Sequence, residues 1–344
     1  MRACLLAGIG EFALQELPDP QIRHAREVLV RIRMVGVCGS DIHYFTSGRI
    51  GDAVIHYPFI IGHEAAGVVE AVGPGVSRLR PGQKIAIDPA LSCGRCDQCL
   101  AGRENTCRHL LFRGAPGQLP GCMCEYVVLD ERQCFPVSDA LSFELAALSE
   151  PLAVGVYAVE RSRIDAGAHA AVLGAGPIGL SILHLLAARS HGPLFVTDKV
   201  EARLDYARQL GPLWAGNPDR VEVEAEIGRL APRQLDMVYE CTGDPEALRQ
   251  GIRLLKPGGR LVIVGIPDEE EVSLPIHELR RREIDILNIR RQAGATQKAV
   301  DLLESGALRM ADMATHHFPL AEAAAAFKLT AARADGVIKA MITL

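Results

Sequence analysis

The sequence has no excess of positive charge. Its 344 residues carry 37 Lys and Arg against 42 Asp and Glu, a formal net charge of −5. No global field therefore draws the chain to nucleic acid or to an anionic membrane. The arginine-rich run "LRRRE" at Leu279–Glu283 is short and sits beside acidic residues, as on a solvated helix face or a subunit contact. An uninterrupted hydrophobic span is also missing. The run "AVLGAGPIGLSILHLLAA" at Ala171–Ala188 approaches membrane-spanning length, but glycines interrupt it and His184 falls inside it. The start, "MRACLLAGIGEFALQELPDP", has one arginine and a short apolar stretch, then Glu11 and a proline-bounded turn. It lacks the pattern of a signal peptide. Internal repeats and low-complexity segments are absent as well. The expectation is a cytoplasmic protein with no membrane and no nucleic acid among its partners.

What is present fits a globular chain. Hydrophobic residues make up 49% and charged residues 23%, the usual mix for a packed interior with a charged surface. The length exceeds one ordinary core and predicts about two domains. Ten cysteines occur, and four of them crowd into "SCGRCDQCLAGRENTC" at Ser92–Cys107 as Cys93, Cys96, Cys99 and Cys107. Two disulfides or one metal would account for them. A reducing compartment favours the metal.

The first part, to about Lys84, holds short β-like runs bounded by Gly or Pro: "EVLVRIRMVGV", "AAGVVEAVG" and "GQKIAIDPA". These predict a compact β domain. "CEYVVLDERQCFPV" reads as further strand. From about Ala153 the pattern alternates. A helix "LAVGVYAVERSRI" leads into a strand, glycine turn and helix in "AHAAVLGAGPIGLSILHLLAARS". Then come strand "GPLFVTD", helix "KVEARLDYARQLG", strand "LDMVYECTG", helix "DPEALRQGIRLLKPGG" and strand "RLVIVGI". Such alternation predicts βαβ units on a parallel sheet, an α/β class. Two helices, "QKAVDLLESGAL" and "AEAAAAFKLTAA", and a strand in "DGVIKAMITL" close the chain.

"GAGPIG" sets Gly174, Gly176 and Gly179 in the G-x-G-x-x-G pattern, with Pro177 and Ile178 between them. The pattern follows an apolar strand and opens a helix, the context that dinucleotide binding requires. The first glycine permits a tight turn, the second a close approach of backbone to pyrophosphate, and the third close helix–strand packing. Free N–H groups at the helix start face the phosphates. Asp198 ends the next strand, where a carboxylate accepts hydrogen bonds from ribose hydroxyls and repels a 2′-phosphate, favouring NAD. A plain helix N-cap is the alternative role for Asp198. Arg203 lies near enough in sequence to cover the adenine, pair with Asp198 or tolerate a phosphate. Gly265, after the last strand of the alternating region, completes the expected cofactor set.

"GVCGSDIHYFTSGRIGD" and "PFIIGHEAAGVVEAVGPGV" bring Cys38, Ser40, Asp41, His43, His63 and Glu64. Cysteine and histidine are the ligands of catalytic zinc sites that keep one position open. Together with the four-cysteine loop, "SEPLAVG", "GAGPIG" and "VTDKVEARLDYA", these motifs run end to end. The chain resembles the zinc-dependent medium-chain alcohol dehydrogenases, and within them the sorbitol (polyol) dehydrogenase group. The resemblance implies a GroES-like β-rich catalytic domain from residues 1–152 and 291–344, and a Rossmann doubly wound parallel-sheet domain over 153–290. It also implies two zinc ions and NAD. One structural zinc would be held by Cys93, Cys96, Cys99 and Cys107. The catalytic zinc would take Cys38 and His63, with Glu64 and Glu150 reaching it directly or through water. Asp41 would hold the His63 tautomer.

The implied reaction oxidises a secondary alcohol of a polyol or sugar-derived substrate to a ketone. Zinc acidifies the hydroxyl, hydride passes to NAD, and Ser40 and His43 relay the proton, with Glu150 in the same site. Tyr44 and the "GRIGD" stretch match the group's pocket. Arg290 and Gln292 replace two aromatics of the group beside Arg291, which matches its substrate-contacting arginine; Arg113 is placed near the same pocket. Extra guanidinium groups favour a carboxylate or a heavily hydroxylated substrate. The alternatives are a sugar acid, L-threonine or 2,3-butanediol, or a non-catalytic zinc and NAD-binding protein. The resemblance further implies a homotetramer or homodimer joined through the last Rossmann strand, near "DILNI". Cys4, Cys122, Cys124, Cys134 and Cys241 read as small core residues.

Overall fold

The computed structural model describes residues 1–189 and 192–344, which fall into two compact units. Met1–Glu150 and Ala293–Leu344 form the first, Pro151–Gln292 the second. The chain passes from one to the other inside the helix Phe143–Ser162, at Pro151, whose ring nitrogen has no hydrogen to donate.

The first unit is built on a seven-stranded sheet around Glu27–Gly36. This strand is long because "EVLVRIRMVG" alternates: Val28, Val30, Ile32 and Met34 are buried while Arg31 and Arg33 face out. It pairs antiparallel with Glu64–Val72, with Tyr126–Asp130 and with the closing strand Lys339–Thr343. Gly36 therefore lies opposite Glu64 on one side and Met341 on the other. The C-terminal segment thus completes a sheet begun three hundred residues earlier in the chain. Arg113 is buried in this unit. Its guanidinium donates to the carbonyls of Pro120, at 3.0 Å, and of Val128, which ties a loop to the strand Tyr126–Asp130.

The second unit carries a six-stranded, wholly parallel sheet. Its order is Trp214–Gly216, Leu194–Thr197, Ala170–Leu173, Leu235–Glu240, Leu255–Ile263, Asp285–Asn288. The chain starts in the middle, winds to one edge, then returns to wind to the other. The reversal, between Ala170–Leu173 and Leu235–Glu240, leaves a crevice at the carboxyl ends of those strands. One boundary differs from the sequence reading. "KPGG" was expected to finish a helix, yet the helix ends at Leu254 and Leu255–Ile263 is strand. Pro257 and two glycines cannot carry a helical turn.

The helix Pro177–Ala188 is buried along most of its length, including His184. Among the described residues no helix is long and apolar enough to cross a membrane. His184 Nε2 lies 2.9 Å from the Tyr206 hydroxyl, and burial pushes its pKa down to about 4. An unfolded histidine near pH 6.5 binds a proton that the folded one refuses. The stability this group contributes is present above pH 6.5 and lost as pH falls from 6.5 toward 4, to a ceiling of about 3 kcal/mol. Urea unfolding at pH 7.5 and pH 5 should show a wild-type loss that His184→Gln shares only in part. An equal loss in both proteins would remove His184 from the account.

Candidate active site

Strand ends bring the chemical residues of the first unit together. Glu27–Gly36 runs into Val37 and Cys38, and Cys38 caps the helix Gly39–Ser47. Asp41, three residues on and fully buried, accepts from the Cys38 N–H at 3.4 Å. Its other oxygen lies 3.4 Å from His63 Nδ1 and 3.4 Å from the Gly62 N–H. Asp41 therefore fixes which ring nitrogen of His63 is turned away from it. Ser40 Oγ donates to Cys38 Sγ at 3.3 Å. Burial alone would lower the His63 pKa, but Asp41 and Cys38 outweigh it and hold it well above the usual value. The surroundings of His63 thus favour a positive charge. That donor set, a thiol beside an imidazole oriented by a carboxylate, fits zinc.

Two glutamates share this environment and behave differently. Glu150 is buried, and desolvation pushes its pKa to about 7, helped by the charges of Glu64 and Asp88 and opposed by His63 and Lys339. Glu64 instead gives both oxygens to Lys339 Nζ, at 2.7 and 2.6 Å. The two side chains are only 2% and 1% exposed. The third ammonium hydrogen goes to the Val37 carbonyl at 3.0 Å, so the lysine's three donors are all used. A Cβ at Gly36 would stand 2.3 Å from Glu64 Oε2, which is why glycine sits there. Burial would depress the Lys339 pKa, but Glu64, with Cys38 and Glu150, raises it above the ordinary value. Sequence reasoning missed Lys339. The signal was a lysine inside the otherwise apolar run "VIKAMI".

Of the other expected residues, Ser40 and His43 are half-buried, while Tyr44 is 7% exposed and packs in the hydrophobic core of the first unit. In the second unit Arg290 is exposed, and Arg291 is half-buried with φ +52°, a left-handed backbone unusual for arginine.

The four-cysteine loop closes on itself. Among the described residues it is the one group with three or more ligand atoms all within 4.8 Å; Cys38, His63, Glu64 and Glu150 do not close to that distance. Sulfur separations are 3.5 Å for Cys96–Cys99, 3.8 Å for Cys96–Cys107 and 4.0 Å for Cys93–Cys99. A disulfide needs about 2.05 Å, and all four are free thiols. A tetrahedral zinc with sulfur ligands at about 2.3 Å spaces them roughly 3.8 Å apart. The Arg108 backbone N–H pulls the Cys96 thiol down to about 6, toward the thiolate that a metal requires. Between Cys93 and Cys107 the buried residues are Asn105 and Cys107, so the lobe has almost no apolar core of its own.

In the second unit the glycines sit as their spacing predicts. Gly174 has φ +95°, and a Cβ there would meet Thr242 Cγ2 at 2.7 Å. A Cβ on Gly179 would stand 1.8 Å from the Gly174 carbonyl oxygen. Gly176 caps the helix Pro177–Ala188, with Pro177 and Ile178 in its first turn, and a Cβ there would meet nothing closer than Arg203 Nη1, at 3.8 Å. That open face is where a phosphate can approach backbone N–H groups. Asp198 accepts from Ala175 N–H at 2.7 Å and Val200 N–H at 2.8 Å, so it both latches the glycine turn and leads into the next helix. The Gly265 N–H donates to the Glu240 carbonyl at 2.9 Å, at the end of the neighbouring strand.

Comparison with known proteins agrees with this geometry. Residues 24–139 match the alcohol dehydrogenase GroES-like domain, and residues 177–305 match the zinc-binding dehydrogenase domain. The chain is 36% identical to the sorbitol dehydrogenase of Bacillus subtilis, over 93% of this chain and 90% of that protein. It is 35% identical to the L-arabinitol 4-dehydrogenase of Aureobasidium melanogenum, over 97% of this chain and 91% of that one. A zinc-binding dehydrogenase of Sinorhizobium meliloti, solved bound to NADP, superposes with a TM-score of 0.91 at 29% identity, covering 100% of this chain and 99% of the other.

Replacing Cys99 with serine should remove one zinc equivalent, read by elemental analysis, and lower the thermal midpoint by several degrees, because the lobe folds around its metal. Full metal content in Cys99→Ser would contradict the tetrathiolate assignment.

Proposed function

The chain belongs to the zinc-dependent medium-chain dehydrogenases, in the sorbitol dehydrogenase-like group, and from that premise we propose the division of work among its residues. It is an NAD-dependent alcohol dehydrogenase that oxidises a polyol or sugar-like secondary alcohol to a ketone. The single observation that carries the reading of the site is the trio of buried His63, buried Asp41 and half-buried Cys38, with Asp41 on Nδ1 and the thiol beside the ring. Bound zinc supplies a Lewis acid that makes a hydroxyl acidic near neutral pH. Cys38 and His63 hold it. Glu150, buried beside Glu64 and His63, would reach the metal directly or through water. Ser40 and His43, both half-buried on the helix that Cys38 caps, carry the proton toward solvent.

NAD is assigned to the crevice of the second unit, its pyrophosphate over Gly174, Gly176 and Gly179. Asp198 supports NAD over NADP because a carboxylate already fixed by two backbone N–H groups cannot turn away from a 2′-phosphate. The NADP in the Sinorhizobium relative makes this a sharp point to test. With NAD and NADP compared by kcat/KM, NAD should win, and Asp198→Ala should narrow the gap. A wild-type preference for NADP would mean that Arg203 dominates.

The relatives' names, sorbitol and L-arabinitol dehydrogenase, support a polyol substrate. Arg291, with Arg290 as a further candidate, is assigned to the distal hydroxyls, since a guanidinium offers several donors to vicinal oxygens. A substrate panel of polyols, sugar acids, threonine and butanediol tests the class. Arg291→Ala should lower kcat/KM for the best polyol by about 2 kcal/mol, typical of a hydrogen bond to a charged group, with little effect on a short alcohol. Equal losses on both substrates would assign Arg291 to the fold.

A homodimer or homotetramer and a cytoplasmic location complete the reading. The strand Asp285–Asn288 is an open sheet edge carrying Ile286, 37% exposed, and nearby Ile276 is 67% exposed. Pairing two such edges removes unsatisfied backbone groups. Light scattering should return two or four times 37.1 kDa; a stable single-chain mass would contradict the assembly.

A further inference from the structure

Glu240 is the last residue of the strand Leu235–Glu240 and is fully buried. Its Oε1 accepts from the Thr242 N–H, from the Thr242 hydroxyl and, at 2.9 Å, from the Gly243 N–H. Its backbone carbonyl accepts from the Val264 and Gly265 N–H groups, at 2.8 and 2.9 Å. One residue therefore joins the loop after its own strand to the loop after the strand Leu255–Ile263. The two loops leave no room between them. A Cβ on Gly265 would stand 2.2 Å from the Gly243 nitrogen and 2.7 Å from Glu240 Oε2, and a Cβ on Gly243 would stand 2.2 Å from the Ile266 carbonyl oxygen. Thr242 is exposed, and its methyl group lies where a Cβ on Gly174 would meet it at 2.7 Å. Among the described residues no donor reaches Glu240 Oε2. A buried oxygen without a donor destabilises the fold, so stability alone does not account for a glutamate here.

We propose that Glu240 is a positioning residue for the nicotinamide end of the cofactor, an inference that rests on the NAD reading of the crevice. Asp198 assigns the adenosine end to the half of the sheet built on Ala170–Leu173, Leu194–Thr197 and Trp214–Gly216. The nicotinamide end then falls to the other half, whose first strand Glu240 terminates. There Oε1 collects three donors that lie beyond the end of that strand, and so fixes the shape of the loop that this end of the cofactor must meet. The glycine turn does not depend on Glu240, because Asp198 latches it through the Ala175 N–H. Loss of the Glu240 carboxyl thus loosens one end of the site and spares the other.

Calorimetric titration of the intact enzyme with NADH and, separately, with AMP tests this. Wild type should bind both; failure to bind either would refute the cofactor assignment itself. Glu240→Leu strands the Thr242 and Gly243 donors and should weaken NADH binding by about tenfold or more, while AMP binding stays within about twofold. Glu240→Gln keeps the Oε1 acceptor and should hold NADH affinity within about threefold of wild type. Thr242→Val removes one of the three donors and leaves Glu240 in place. It should fall between the two Glu240 variants, again with AMP binding unchanged. If Glu240→Leu does not fold, Thr242→Val decides alone. Equal losses of NADH and AMP affinity would mean that Glu240 serves the fold, and the proposal is wrong. Unchanged NADH binding in the deciding variant overturns it, and so does a Glu240→Gln loss as large as that of Glu240→Leu.

Discussion

The buried ion pair between Lys339 and Glu64 constrains several elements of the first unit together. Both groups are out of water, and removing one partner of such a pair costs roughly 3–5 kcal/mol because the other is stranded. The pair therefore fixes three things at once. It pins the first residue of the closing strand, so the C-terminal segment cannot leave the sheet without exposing a charge. Through Val37 it holds the backbone that delivers Cys38. It also requires a glycine at position 36, where three strands meet side by side. The pocket's polarity follows from the same neighbourhood. Glu64, Asp88 and desolvation raise Glu150, while Lys339 and His63 moderate the rise.

The two units solve different physical problems. The first must hold a cation among buried carboxylates and a thiol, and it does so with strand ends and one capped helix. The second must admit a long, doubly charged ligand against its backbone, and it does so by removing side chains. Gly174, Gly179 and Gly265 would each place a Cβ within 3.0 Å of neighbouring atoms, so the loops at the strand ends can interlock closely. The cysteine lobe is a third solution. Too polar to build a core, it converges four sulfurs to metal-binding distance.

Much of this was legible in the sequence because spacing alone carried it. Four cysteines at short intervals, and three glycines between an apolar strand and a helix, are local patterns with local consequences. The alternation of strands and helices gave the parallel sheet for the same reason. What escaped was non-local. Lys339 has meaning only once Lys339–Thr343 pairs with Glu27–Gly36. Arg113, placed near a pocket by its motif, is occupied by two carbonyls that come close only in the folded loop. The helix that carries Glu150 begins at Phe143, nine residues before the predicted "LAVGVYAVERSRI"; the local signal was Ser142, whose hydroxyl accepts from the Leu145 N–H at 3.2 Å. The boundary at "KPGG" was a local error, where proline and glycine should have outweighed helical periodicity.

The central claim is that Cys38 and His63 bind the catalytic metal. Anomalous diffraction at the zinc edge, on crystals of the intact enzyme, tests it most directly. The account predicts two peaks per chain. One should lie among Cys93, Cys96, Cys99 and Cys107. The other should be bonded to Cys38 Sγ and a His63 nitrogen. A single peak, or a second peak bonded to neither Cys38 nor His63, would contradict it.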